Sequence, residues 1–442
     1  MKKFILFLTV LAIAQLNVQA QSSGTFTLQQ CVDYAMQHNA DVLNSNLEID
    51  YAHKQVQQLT GIGLPQINGS VSVNDFVNIP TSLIPAEFFG GQAGTYMPVK
   101  FGTQYNGSYG ANISQMIFNG SFFVGLEASR TVQDLATKNA NRTAIEAKAE
   151  VMKAYYTALL SQKSLNVINA NVAQLEKLKN DTKVMHDNGF VEQLDLDRIT
   201  VAYNNLVTQK TNAEKMVALS LQLLKFQMGY DVNAQMSLTD TLAPMDFEPL
   251  IQTASSFNKN NRVEFQLLQT QRTLYSLDKK NNYASYLPSL YAIGSYTNNW
   301  SGQKFDPFTS KQWFPTTLIG AQLNVPIFDG FIKSRKIQED NIKLQETDNS
   351  IANLSNAMNL EVNSSKISLE NAVANLNSQK DNMKLAQDVY STANIKYQQG
   401  VGSFLEIINS NTALVEAQNN YLNALYEAWI ASVNLKKALG TL

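Results

Sequence analysis

From Ser121 to Asp187 the chain contains no proline, and Gly125, near the start, is its only glycine. Without either breaker such a run continues as one helix, roughly 100 Å long at ~1.5 Å per residue. Ordinary globular domains use helices of about a third of that length or less. Gly189 interrupts the run, and helical spacing resumes from Val191 to about Met228. The segment is therefore expected to form a long antiparallel hairpin with its tip near Gly189-Phe190. Apolar positions are mixed with many Ala, Asn, Ser and Gln residues. The resulting narrow apolar seam with wet flanks suits a coiled coil or a thin-walled helical tube.

The hairpin occurs twice. A second tip lies within Lys396 to Asn419, where helical spacing breaks at Gly400-Val401-Gly402 and then resumes. Gly400 follows Gly189 by 211 residues, and Gly440 follows Gly229 by the same 211. Ile117-Phe118-Asn119-Gly120 is echoed 210 residues later by Ile327-Phe328-Asp329-Gly330. The two hairpins thus span 109 residues (Gly120 to Gly229) and 110 (Gly330 to Gly440), an equality expected of an internal structural repeat. Upstream of each lies a shorter helix, from Leu28 to about Thr60 and from Leu250 to about Tyr283, ending at Leu64-Pro65 and Leu287-Pro288. These prolines are 223 residues apart, as are the similar stretches Asn39-Ala40-Asp41-Val42 and Arg262-Val263-Glu264-Phe265. The expected division is a first repeat over 21–229, a linker over 230–249 with Pro244 and Pro249, and a second repeat over 250–442.

Between helix and hairpin, each copy carries strands. In Ile67–Asn74, Ile67, Gly69, Val71 and Val73 alternate with Asn68, Ser70, Ser72 and Asn74. Tyr105–Ile117 alternates in the same way, and further strands are expected at Ser289–Asn299 and Thr316–Val325. One apolar face and one small polar face suit a barrel wall between lipid and water, although a half-buried strand in a soluble sheet alternates equally well. The loops joining each pair are rich in aromatics, including Phe88, Phe89, Phe101, Phe305 and Trp313, as expected near an interfacial girdle. Four strands cannot close a barrel, and open edges cannot face lipid. Membrane strands here would need several chains, and three would supply a twelve-stranded pore.

Composition narrows the function. Residues 1–20 have the layout of a cleaved secretory signal: Lys2-Lys3, an apolar centre from Phe4 to Ala14, and Val18-Gln19-Ala20. A net charge of −2 argues against a nucleic-acid partner. Cys31 is the sole cysteine, so no disulfide can form within the chain. His38, His53 and His186 lack metal-ligand spacing, and no phosphate loop or nucleophile motif appears. No catalytic residue, metal or cofactor is expected.

The two Leu-Pro turns, the two Ile-Phe-Asn/Asp-Gly turns, the Tyr397…Gly400…Ser403…Glu406 motif and the closing Ala438-Leu439-Gly440 recur in an order that resembles the TolC-type outer-membrane efflux proteins. The resemblance covers nearly all of the chain after the signal. It implies a homotrimer with an outer-membrane barrel, a periplasmic α-helical tunnel and an equatorial belt. It further implies a passive export duct, gated at its tips by a periplasmic adaptor protein and an inner-membrane transporter. Carried over by position, a latch tyrosine falls on Tyr397 and its aspartate partner on Asp195. The latch arginine falls on Gly402, so that ionic link is absent or replaced. Two entrance acids fall on Glu406 and Asn409, and only Glu406 keeps the charge. Gly189, Phe190, Gly400, Val401 and Gly402 form the tip turns where an adaptor would dock. The plainer readings are a solvated Glu406 and an exposed Tyr397 capping a helix end. Two other functions remain open from the residues: a periplasmic adaptor (membrane fusion) protein, or a structural coiled coil.

Overall fold

The computed structural model describes residues 24–310 and 312–442, so the signal-like segment 1–20 lies outside the described residues. The chain divides into two compact units. One comprises Asp50–Leu135 and Thr270–Asn349; the other comprises the described residues up to Ile49, Ala136–Gln269 and Ser350–Leu442. Each unit therefore draws on both halves of the sequence.

The first unit is built on strands. β2 (Gln66–Asp75), β5 (Tyr105–Phe118), β7 (Ser289–Gly302) and β8 (Trp313–Asn324) form one antiparallel sheet in that order. Up to a register shift at Met116–Phe118, the pairing keeps the alternation in phase across all four strands. Ile67 lies opposite Ile113, Ile113 opposite Gly294, and Gly294 opposite Ile319. Ile67, Val71, Tyr109, Tyr296, Ile319 and Leu323 share that apolar face and are exposed. The other face carries small polar groups on β2 and β5, where the Ser72 and Ser108 hydroxyls are 2.8 Å apart and Ser301 of β7 donates to Asn106 at 2.8 Å, whereas β8 adds the exposed Phe314 and Leu318 to it. β2 and β8 each have one edge with no strand partner among the described residues.

The Asp75–Thr103 segment, expected as an irregular loop, contains a hairpin of β3 (Thr81–Pro85) and β4 (Tyr96–Lys100). Pro85 and Pro98 sit in these short strands, as they can where a strand has a free edge.

The second unit is helical. Its four main helices are α3 (Gly120–Asp187, 68 residues), α4 (Gln193–Met228, 36), α7 (Ile332–Gln398, 67) and α8 (Phe404–Leu439, 36). α3 and α7 also contribute residues to the strand unit. Each of the four helices closes in the same way. A glycine at φ +75, +69, +75 and +72 (Gly189, Gly229, Gly400, Gly440) lets the next amide reach back to a carbonyl of the last turn. These bonds are Phe190 to Met185, Tyr230 to Lys225, Val401 to Lys396 and Thr441 to Lys436, all 2.8–3.0 Å.

Two buried clusters hold this unit. One gathers Cys31, Val32, Tyr155, Leu224, Met228, Phe247, Leu425 and Leu435. Burial, with a smaller push from Asp240, raises the Cys31 thiol to about 12, so it is a packing residue with no thiolate chemistry. The second cluster joins Leu178 and Ile199 of the first hairpin to Tyr397, Phe404 and Ile407 of the second.

Both shorter helices depart from the sequence expectation. The first is split into α1 (Leu28–His38) and α2 (Ala40–Ile62) at Asn39, which has ψ 129. The Asn39 side chain accepts from the amides of Asp41 and Val42, capping α2, and donates to the Gln227 carbonyl at 2.8 Å. The second is split into α5 (Glu248–Thr253) and α6 (Val263–Ala284) by a nine-residue break over 254–262 that holds two short 3-10 turns and ends at Arg262, 223 residues after Asn39. The 230–249 linker also holds β6 (Met236–Leu238), which pairs in parallel with β1 (Gly24–Phe26).

Among the described residues, no helix is long and apolar enough to cross a membrane.

Candidate functional site at the hairpin tips

The tips bring the residues singled out above into one region. After Gly400, the amides of both Val401 and Gly402 donate to the Lys396 carbonyl, at 3.0 and 3.1 Å. Ser403 then caps α8 by accepting the Glu406 amide at 3.1 Å. Gly402, the position where the resemblance implies a basic residue, is crowded. A Cβ there would come within 2.9 Å of the Tyr397 amide nitrogen and 3.0 Å of the Lys396 Cβ.

Tyr397 is 8% exposed, packed edge-on against Phe404 at 5.9 Å between ring centroids. The alternative of an exposed capping tyrosine is therefore set aside. Its hydroxyl is buried with no hydrogen-bond partner. Burial raises its pKa; the nearby Thr182 hydroxyl works the other way, and the Asp195 and Asp181 carboxylates add to the rise. Thr182 is itself committed to the Leu178 carbonyl at 2.8 Å, and its geometry toward Tyr397 falls short of a hydrogen bond. Asp195 lies close to Tyr397 without bonding to it, and instead pairs with Arg198 at 3.4 Å.

Glu406 is half-exposed and pairs with Lys396 at 3.3 Å, across the turn. Asn409 is exposed. Asp195 and Glu406 stand 211 residues apart, each in the first turn of a returning helix and each beside a base of its own chain. The sequence reading missed both bases.

It also missed the extent of the apolar surface. At the first tip Val184, Phe190 and Leu194 are exposed; at the second Ile395, Val401 and Leu405 are exposed. Each member of the second set follows its counterpart by 211 residues, so the repeat offset was a signal that could have found them. No group of His, Cys, Asp or Glu among the described residues is arranged to hold a metal.

Comparison with known proteins agrees with this architecture. The outer membrane protein TolC of Vibrio cholerae is 20% identical over 340 residues, 76% of this chain and 77% of that one. Its Escherichia coli namesake is 19% identical over 341 residues, covering 75% and 68%. Among solved structures, the outer membrane protein VceC of Vibrio cholerae superposes with a TM-score of 0.72 at 14% identity, over 93% of this chain and 96% of that one. The CmeC outer membrane channel of Campylobacter jejuni gives 0.72 at 16% identity, over 94% and 85%. The family described as outer membrane efflux protein matches residues 31–229 and 260–441, both hairpins and all four strands of the main sheet included. The chain belongs to the outer membrane efflux protein family.

Proposed function

We propose that three copies of this chain close into a twelve-stranded barrel in the outer membrane, with the helical hairpins forming a periplasmic conduit for passive efflux. The observation that carries this reading is the four-stranded sheet with one exposed apolar face and two unpaired edges. In lipid those edges must be paired, and copies of the same sheet supply the partner strands. On α4, Met216, Leu219, Leu223 and Phe226 are exposed along one helical face, a stripe suited to a neighbouring copy. The matched breaks at Asn39 and Arg262 and the four matched helix ends support an internal duplication, with repeats over 21–229 and 250–442.

The tips are the gate. Tyr397 belongs to the buried cluster that joins the second hairpin to Leu178 and Ile199 of the first, with Asp195 beside it, and Glu406 and Asn409 line the entrance. The apolar sets around Phe190 and Val401, presented by the Gly189 and Gly400-Gly402 turns, are the docking surface for a periplasmic adaptor coupled to an inner-membrane transporter. Energy comes from that transporter.

The test is extraction of outer membranes in mild detergent. A trimer that dissociates on heating, and that Leu219→Asp converts to monomer, supports the proposal. A water-soluble monomer recovered without detergent overturns it.

A further inference from the structure

The strand sheet is almost free of charge. Asp75, at the end of β2, is the only Asp, Glu, Lys or Arg in its four strands. Neither face can therefore sort cargo by sign. Selection by charge would fall to the helical part, and at its tips carboxylates begin the returning helices. There, Asp195 and Glu406 each have a base of their own chain beside them.

Glu406 sits in the first turn of α8, its amide bound by the Ser403 hydroxyl. Lys396 sits in the last turn of α7, and its ammonium lies 3.3 Å from the Glu406 carboxylate. Both charges occupy the helix end that favours them, the acid at an N-terminus and the base at a C-terminus. The Val401 and Gly402 amides both anchor on the Lys396 carbonyl, so the turn itself fixes the backbone from which the lysine reaches. At the first tip Asp195 also has a base beside it, Arg198 at 3.4 Å, but one turn along the same helix and not across the turn. Arg198 stands 211 residues before Asn409, so a base occupies the first-tip counterpart of the uncharged entrance position.

We propose that Lys396 is a specificity-determining residue: it cancels the Glu406 charge at the entrance, so the duct admits neutral, zwitterionic and singly charged solutes of either sign with little preference. This rests on the reading that the tips form the entrance. A half-exposed pair of this kind adds little stability. Its effect is on the field: an unpaired ring of carboxylates would concentrate cations in the narrow entrance, and a ring of close ion pairs does not.

The experiment is single-channel recording of the full-length trimer in planar bilayers under a KCl gradient at about 0.1 M, where the screening length is about 10 Å. The wild type is expected to show a K⁺/Cl⁻ permeability ratio near that of free solution. Lys396→Met should shift the ratio toward cations by about fivefold, and Glu406→Gln toward anions by a similar factor. The double variant should return to the wild-type value. Because these changes lie on a half-exposed surface, a heat-dissociable trimer confirms that each variant has folded. Open channels that are strongly cation-selective in the wild type and unmoved by Lys396→Met overturn the inference and leave the duct reading standing. A folded trimer that opens no channel at all overturns both.

Discussion

The Arg262 guanidinium donates a 2.7 Å hydrogen bond to the carbonyl of Ala438, near the end of α8. Asn39 makes the matching bond to Gln227, near the end of α4. Arg262 adds ion pairs at 3.0 Å to Glu264 and Glu361, and its side chain is only 6% exposed. Burial alone would raise the Glu264 pKa, but the bonds from Arg262 outweigh it and hold that carboxyl below its usual 4.5. A depressed carboxylate contributes stability that is complete above its unfolded pKa and is lost as pH falls through the folded value. Arg262→Ala should therefore cost about 2–3 kcal/mol at neutral pH, most of it from the unpaired carbonyl and the Glu264 pair, since Glu361 is half-exposed. It should also flatten the loss of stability between about pH 5 and 3. Urea unfolding followed by helical circular dichroism at several pH values tests both parts.

Two glycines with nearly the same backbone should respond differently to alanine. Gly189 and Gly229 have φ +75 and +69. A Cβ on Gly189 meets open space, so Gly189→Ala should cost only the left-handed strain, about 1 kcal/mol. A Cβ on Gly229 runs into the backbone carbonyl of His38. Gly229→Ala should cost at least about 2 kcal/mol more. Side-by-side melting midpoints decide it, and equal shifts would remove the steric account.

At the proposed gate, the ring of Tyr397 should matter and its hydroxyl should not. The hydroxyl is buried without a partner, so Tyr397→Phe removes a polar group that makes no bond. It should leave channel conductance unchanged and stability equal or slightly higher. Tyr397→Ala empties a site packed against Phe404 and should cost about 3–5 kcal/mol locally, raising open probability in bilayers. A larger conductance in Tyr397→Phe would show that the hydroxyl does take part in closure, through Asp195 or Asp181.

The two faces of the sheet should tolerate charge unequally. Ile319→Lys places an ammonium on the apolar face and should cost about 2–4 kcal/mol of folding in a bilayer. Ser70→Lys, on the opposite face, should cost little. The yield of heat-modifiable folded protein reads out the difference; equal losses would mean that the apolar face does not meet lipid.

Long-range order was legible in the chain because it rests on periodicity and punctuation. The Ile67-Gly69-Val71-Val73 alternation marked a strand found at Gln66–Asp75, and Gly189 and Gly400 marked turns found at those residues. What escaped rests on contacts that no local pattern records. Both breaks lack glycine and proline: Asn39 caps its own next turn, and Arg262, at the end of the 254–262 break, is held by partners 99 and 176 residues away. β1 and β6 are three residues each, too short to show a period. Prolines concealed the β3–β4 hairpin. At the tips, the sequence marked Tyr397 and Glu406 but not Lys396, because the pairing of Lys396 with Glu406 depends on how the turn folds back.

The matched lengths of the hairpin helices make the chain a ruler. α4 and α8 have 36 residues each, and α3 and α7 differ by one, 68 against 67. One residue added to a single arm would displace its tip by ~1.5 Å and turn its seam by roughly a quarter-circle, out of step with its neighbour. Seven residues, close to two turns, restore the facing only if all four arms change together. Descendants or engineered versions of this chain can therefore alter their reach in whole-turn steps, of ~10 Å for seven residues, each requiring four coordinated insertions or deletions.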